Sequence, residues 1–241
     1  MKRTLCILLA CAACAGTFAQ TATDFFNSGK ANYDQKAYDQ AIADFTEAIK
    51  LNPFLAEGNL YRGHAYYNKQ DYDRAVVDYT GAINLNPRLA EAYYNRGNAH
   101  FNKNNDDQAL ADYTEAIKLD PRLAEAYGKR GTIYASRKNF DEAIADLSEA
   151  LRLNPRLDEV YAVRGNAYFN KKDYDKAIAD LTEALRLDPR NADALSKRGR
   201  AYYYKKDHAK AVADSEAALK INPNDNDAKT TLKFAKVMKG K

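Results

Sequence analysis

Cysteine is confined to the first fourteen residues, as Cys6, Cys11 and Cys14. Proline is as sparse. There are six, Pro53, Pro87, Pro121, Pro155, Pro189 and Pro223, each 34 residues from the last. Histidine occurs three times, as His64, His100 and His208. Charge is nearly balanced, with 37 basic against 33 acidic side chains. Each scarcity removes a class of chemistry. The histidines lie far apart with no HExxH or similar spacing, which removes a metal centre. No Gly-rich phosphate loop and no GxSxG elbow is present. A near-neutral chain carries no electrostatic footprint for nucleic acid. The reading is of a chain that is not an enzyme, with no cofactor, no metal and no nucleic-acid partner.

Residues 1–19 read as a leader. Lys2 and Arg3 open it, Leu5 to Ala15 is apolar and small, and Thr17-Phe18-Ala19 offers a small-x-small cleavage site before Gln20. That is the layout of a secretory signal peptide. The apolar run falls short of the ~20 residues that a spanning helix needs, so no membrane span is expected. Cleavage after Ala19 removes every cysteine, and with it disulfide and thiol chemistry. It also lowers the formal charge from +4 to +2, since Lys2 and Arg3 go with the leader. The expected location is therefore periplasmic or secreted. A second form of export fits the same stretch: Leu8-Leu9-Ala10-Cys11 loosely resembles a lipobox, which would anchor an outer-membrane lipoprotein through Cys11.

What is abundant is repetition. ADFTEAIKLNP (43–53) returns as VDYTGAINLNP (77–87), ADYTEAIKLDP (111–121), ADLSEALRLNP (145–155), ADLTEALRLDP (179–189) and ADSEAALKINP (213–223). A 34-residue clock takes precedence over any count of domains from length, because stacked units share no single compact core. The copies are 22–55, 56–89, 90–123, 124–157, 158–191 and 192–225, followed by a capping helix in 226–241. Each copy holds two helices. In the third they run roughly from Ala90 to Lys103 and from Asp106 to Leu119, with a polar break at Asn104-Asn105. Asp71, Asn105, Asn139, Asp173 and Asp207 stand where a side chain can cap the second helix, and Ala37 cannot. The proline ends it, because residues before proline avoid the helical region.

Small residues form columns. Gly29, Gly63, Gly97, Gly131, Gly165 and Gly199 recur on the first helix, and Ala41 to Ala211 and Ala48 to Ala218 recur on the second. Glycine inside a helix costs ~1 kcal/mol against alanine, so six of them predict close approach of two helices. Phe45, Tyr79, Tyr113, Leu147 and Leu181 are the complementary bulk. The aromatic-x3-Gly-x2-Tyr pattern, then Ala-x3-Phe/Tyr, Ala and Pro at this period, resembles the tetratricopeptide repeat (TPR) family. The likeness covers about residues 22–223. Departures are Asn59 and Leu195 for the large first-helix residue, Asn32 and His100 in the tyrosine column, and Ser215 for the bulky second-helix residue. The resemblance implies an all-α, right-handed superhelical solenoid with first helices on the concave wall and a C-terminal helix covering the last copy.

Function must then come from that wall. Spacing of three and four residues reads it as Glu57, Leu60, His64, Tyr67 and Asn68 in copy two, and Glu91, Tyr94, Asn98, Phe101 and Asn102 in copy three. Copy four gives Glu125, Gly128, Thr132, Ala135 and Ser136. Copy five gives Glu159, Ala162, Asn166, Phe169 and Asn170, and copy six Asp193, Ser196, Arg200, Tyr203 and Tyr204. Aromatic rings give contact area at low entropy cost, and asparagine pairs with a peptide backbone whatever its sequence. The expected partner is a protein or extended peptide, held by Tyr67, Asn68, Tyr94, Asn98, Phe101, Asn102, Thr132, Asn166, Phe169 and Asn170. The alternative is a carbohydrate or cell-wall ligand stacked on the same rings, in an accessory of an envelope enzyme system. The family's two-carboxylate clamp needs cations where Glu57, Glu91, Glu125 and Glu159 stand, so acidic tails are not expected. Those glutamates also suit the first turn of their helices by the dipole alone. Copy four, small throughout, predicts a depression between Tyr94 and Phe101 on one side and Phe169 on the other, with Asn98 and Asn166 bonding a partner backbone beside it.

Two charged columns predict a ladder. Arg62, Arg96, Arg130, Arg164 and Arg198 lie on first helices, and Asp44 to Asp214 on second helices, with Ser28 in place of the first arginine. Pairing of each Asp with the Arg of the following copy, Asp44 with Arg62 onwards, would explain why copy one needs none.

Overall fold

The computed structural model describes residues 20–239, so the proposed leader, its cleavage site at Ala19 and the Cys11 alternative lie outside the described residues. The first helices are α1 (Ala22–Asp34), α3 (Ala56–Asn68), α5 (Ala90–Asn102), α7 (Ala124–Ser136), α9 (Asp158–Asn170) and α11 (Ala192–Tyr204). The second helices are α2 (Tyr38–Leu51), α4 (Tyr72–Leu85), α6 (Asp106–Leu119), α8 (Phe140–Leu153), α10 (Tyr174–Leu187) and α12 (His208–Ile221). A last helix, α13 (Asn226–Lys239), packs on α11 and α12. Each second helix packs on its own first helix and on the first helix of the next copy. The two alanine columns are fully buried at these contacts.

The turn inside each copy uses a left-handed residue. Lys36, Gln70, Asn104, Lys138, Lys172 and Lys206 have φ of 58–65°. The N–H of the next residue then reaches back to the end of the first helix, as Asp71 to the Tyr66 carbonyl and Asn139 to that of Tyr134, both at 2.9 Å. This is a Schellman closure, which glycine usually serves. A side chain there costs ~1–2 kcal/mol. Lys138 is exposed, so Lys138→Gly is expected to stabilise the array by about 1 kcal/mol once the extra freedom of the unfolded glycine is deducted. A urea midpoint that stays put or falls would show that the turn carries no such strain.

The caps of the second helices divide by residue type. Asp71, Asp173 and Asp207 accept from the N–H three residues on. Asn105 and Asn139 make no such bond. Each capping aspartate is also held by a cation at that third residue, Arg74, Lys176 or Lys210. The asparagines face Gln108 and Glu142 there and have nothing to aim them.

The charged columns pair within copies, which corrects the expected cross-copy ladder. Arg62 grips Asp78 of its own copy, Nε donating to Oδ2 at 2.8 Å and Nη2 to Oδ1 at 2.7 Å. The same fork joins Arg96 to Asp112, Arg130 to Asp146, Arg164 to Asp180 and Arg198 to Asp214. The reason is the glycine beside each arginine, which brings the second helix of the same copy close. Arg62 reaches the previous copy only through Nη1, which donates to Thr46 at 3.1 Å. Thr80, Thr114, Ser148 and Thr182 serve the later arginines. Asp44 is not left alone: Ser28 Oγ and Asn32 Nδ2 donate to it at 2.7 and 2.8 Å. Copies are joined by ion pairs elsewhere, on the exposed Lys69–Asp39, Lys103–Asp73, Arg137–Asp107, Lys171–Asp141 and Lys205–Asp175. Such surface pairs are worth ~0–1 kcal/mol each.

The far end departs in register. In α13 Leu232 occupies the arginine column and Lys233 the glycine column, and no second helix packs beyond them among the described residues. Glu216 replaces the hydroxyl and pairs with Lys236 at 2.8 Å.

Candidate binding groove

Neighbouring first helices touch at α1–α3, α3–α5, α7–α9, α9–α11 and α11–α13, whereas no such contact joins neighbouring second helices. First helices therefore line the inner wall of the curve. The α5–α7 junction is the loosest in the series.

The residues expected to hold a partner are partly engaged with one another. Asn68 Nδ2 donates to Tyr33 Oη at 2.9 Å and to the His64 carbonyl. Asn102 Nδ2 donates to Tyr67 Oη at 2.7 Å and to the Asn98 carbonyl. This tyrosine–asparagine ladder stops at copy four, where Phe101 has no hydroxyl and Ser136 no amide. The signal in the sequence was a tyrosine 35 residues before an asparagine. Asn98 is also committed, its Oδ1 accepting from Tyr113 Oη at 2.8 Å. Asn166 has no such tie, because Leu181 stands where copy three has Tyr113. Asn170 Nδ2 donates to the Asn166 carbonyl at 2.8 Å. Phe169 packs against Tyr174 and Tyr204, with the Arg200 guanidinium 5.0 Å from its ring centre. Thr132 Oγ1 donates to the Gly128 carbonyl at 2.9 Å.

A cavity of about 600 Å³ opens at copy four, and its membership differs from the expectation. Tyr94, Phe101, Gly128 and Thr132 line it. Phe169, Asn98 and Asn166 do not, and neither do Tyr67, Asn68, Asn102 and Asn170. The far wall comes from the N-terminal ends of α9 and α11 instead: Leu157, Asp158, Glu159, Val160, Ala162, Val163, Asn191 and Asp193, with Glu125 and Lys129 from α7. Reading each copy's wall separately missed these. The legible signal was one column, Phe26, Leu60, Tyr94, Gly128, Ala162 and Ser196, which loses bulk after Tyr94. Gly128 is buried with Val160 facing it, 3.1 Å from where a β-carbon would stand.

His64 faces the aromatic end of the groove. Asn95 Nδ2 lies 3.2 Å from its Nε2, and Tyr33, Tyr61 and Tyr79 surround the ring. Burial lowers its pKa to about 4, although Glu91 stands 3.7 Å away. Desolvation prevails because the ring is buried among these aromatic side chains whereas Glu91 is largely exposed. The unfolded chain takes up this proton near pH 6.5 and the folded chain near 4, so stability present in full above pH 6.5 falls as pH drops through that window. The preference is roughly 3 kcal/mol. His64→Phe is expected to flatten this part of the stability–pH curve, and an unchanged curve would show that the ring does not carry it.

Among the described residues no cluster of His, Cys, Asp or Glu could hold a metal ion. No helix there is long and apolar enough to cross a membrane.

No curated protein matches the chain by sequence. Many solved structures match it by fold. YrrB, described as a TPR protein with an unusual peptide-binding site, is 25% identical over 78% of this chain and 97% of that chain, with a TM-score of 0.70. A chain of the APC/C hetero-tetramer Cut9–Hcn1 is 23% identical over 89% of this chain, which spans 42% of it, also at 0.70. PilF of Pseudomonas aeruginosa is 16% identical over 88% of this chain and 97% of that chain, at 0.78. The last two likenesses are of fold alone. Profiles of the tetratricopeptide repeat match residues 25–54, 63–104, 90–123, 124–157, 165–204 and 192–225. The chain belongs to the tetratricopeptide repeat family, and is a non-catalytic scaffold for protein and peptide binding.

Proposed function

We propose that the array holds an extended segment of a partner protein along its concave wall, outside the cytoplasm, with one bulky partner side chain seated at copy four. The observation that carries this is the copy-four cavity, apolar in most of its lining and open to the groove. Cavities of this size with a few convergent polar groups are the usual ligand sites. Further along the wall, Asn68 and Asn102 spend their amide protons inside the array but keep carbonyl oxygens for a backbone N–H. The same engagement weakens the carbohydrate alternative, which needs amide donors as well as rings. YrrB supports the reading by its described peptide site. Export rests on the sequence of residues 1–19.

A photoreactive benzoylphenylalanine placed at Thr132 is expected to trap a protein from envelope extract, whereas the same group at Lys118 on α6 traps none. Trapping only from Lys118, or loss of the adduct when soluble cell-wall glycan is added, would overturn the groove reading. For export, mass spectrometry of the native protein is expected to show a chain beginning at Gln20 without cysteine. An acylated Cys11 at the N-terminus would replace that with the lipid-anchored form.

A further inference from the structure

We propose that the copy-four cavity is specific for an arginine side chain of the bound segment; this rests on the groove reading above and names its chemistry. The lining joins apolar walls, Tyr94, Phe101 and Val160, to the carboxylates Glu125, Asp158 and Glu159. Among the described residues none of those three carboxylates has an ion-pair partner, while Asp193 is taken by Lys197 at 2.7 Å. Lys129 is the one cation in the lining. An apolar slot with surplus negative charge in its lining fits a long side chain with an apolar stem and a cationic head.

The array shows the missing arrangement elsewhere on the same wall. Arg200 lays its guanidinium 5.0 Å from the Phe169 ring centre and bonds Asp227 at 2.7 Å. At the other end, Lys30 stands 5.1 Å from the Tyr61 ring centre. Lys30 and Arg200 occupy one column of the repeat. Between them that column reads His64, Asn98, Thr132 and Asn166, with no standing cation. Both ends of the wall thus fill a cation position over aromatic rings from within. The middle has the rings and the carboxylates, and no cation in that column. Arginine suits it better than lysine, because a guanidinium is planar, stacks on rings and is more weakly hydrated.

The test uses the purified protein and capped heptapeptides, Gly-Ser-Ser-X-Ser-Ser-Gly, with X arginine, lysine, glutamate or citrulline, the last an uncharged near-isostere of arginine. At millimolar peptide, the arginine form is expected to shift the amide resonances of Gly128, Thr132 and Val160, and to bind about tenfold more tightly than the citrulline form. The pair Glu125→Gln with Glu159→Gln is expected to remove that difference while lowering the melting temperature by no more than about 5 °C, the loss of two first-turn carboxylates. Lys129→Met is expected to strengthen arginine binding. Equal affinity for arginine and citrulline, a preference for glutamate, or no shift at those amides would overturn the inference. Each of these failures leaves the groove reading to the Thr132 cross-link, which does not depend on the charge of the peptide.

Discussion

Arg96→Ser is expected to cost the array about 3–5 kcal/mol, and adding His100→Asn to restore at least half of it. The loss follows from the Asp112 side chain, which is 7% exposed and gripped by both ends of the Arg96 fork. Without the guanidinium a carboxylate stays buried and uncompensated. His100 does not share this role in the intact array: its Nε2 lies 3.9 Å from Asp112, beyond hydrogen-bond reach, and burial lowers its pKa. The restoration copies the solution of copy one, where Ser28 and Asn32 occupy the same two columns and both donate to Asp44. It is partial, because Asp44 is less buried than Asp112 and the bond from Arg96 to Thr80 is not replaced. Urea denaturation followed by hydrogen exchange in α5 and α6 reads both variants. A loss under about 1 kcal/mol in the single variant, or none regained in the double, would show that these pairs are dispensable.

Gly97→Ala is expected to destabilise by about 1–3 kcal/mol, and Gly199→Ala to change stability by less than about 0.5 kcal/mol. Helix propensity favours alanine by ~1 kcal/mol at both places, so the difference isolates packing. A β-carbon on Gly97 would stand 2.8 Å from the Tyr113 ring, with Asp112 Cβ 3.3 Å away. That ring is fully buried and its hydroxyl is tied to Asn98, so it cannot swing aside. On Gly199 the nearest atom is Ser215 Oγ at 3.1 Å. Ser215 has no hydrogen-bond partner to hold it, so it can turn away. Equal midpoints for the two variants would contradict the packing account.

The clock made the helices and the close approach legible, because 34-residue identity repeats the same contacts and a column of glycine has few other uses. It could not choose a partner for Arg62. Asp78 lies 16 residues after it and Asp44 lies 18 before it, and a periodic chain repeats both separations equally. Only the approach of α3 to α4 over Gly63 decides. Nor did composition mark the left-handed turn, since lysine usually avoids that region and glycine is absent from all six positions. The cavity was half legible. The loss of bulk at Gly128 and Thr132 stands in one copy, but the opposite wall is built at the N-terminal ends of α9 and α11, from Leu157, Val160, Asn191 and Asp193. Such a wall appears only when the stacking offset is known.

The arginine fork closed inside each unit has a consequence for how such a gene can change length. Every internal unit meets the same requirements on both sides: its buried acid is neutralised from within, and its arginine asks the predecessor only for a hydroxyl. Recombination between near-identical stretches such as ADLSEALRLNP and ADLTEALRLDP can therefore duplicate or delete a 34-residue segment without orphaning a charge. The terminal units do not share this freedom. Ser28 moved inside the array would leave a preceding threonine without its guanidinium donor, and Lys233 followed by a second helix would bring a long side chain to the close approach that every other copy makes over glycine. Growth and shrinkage are thus confined to the interior, and the two ends are inherited as fixed pieces.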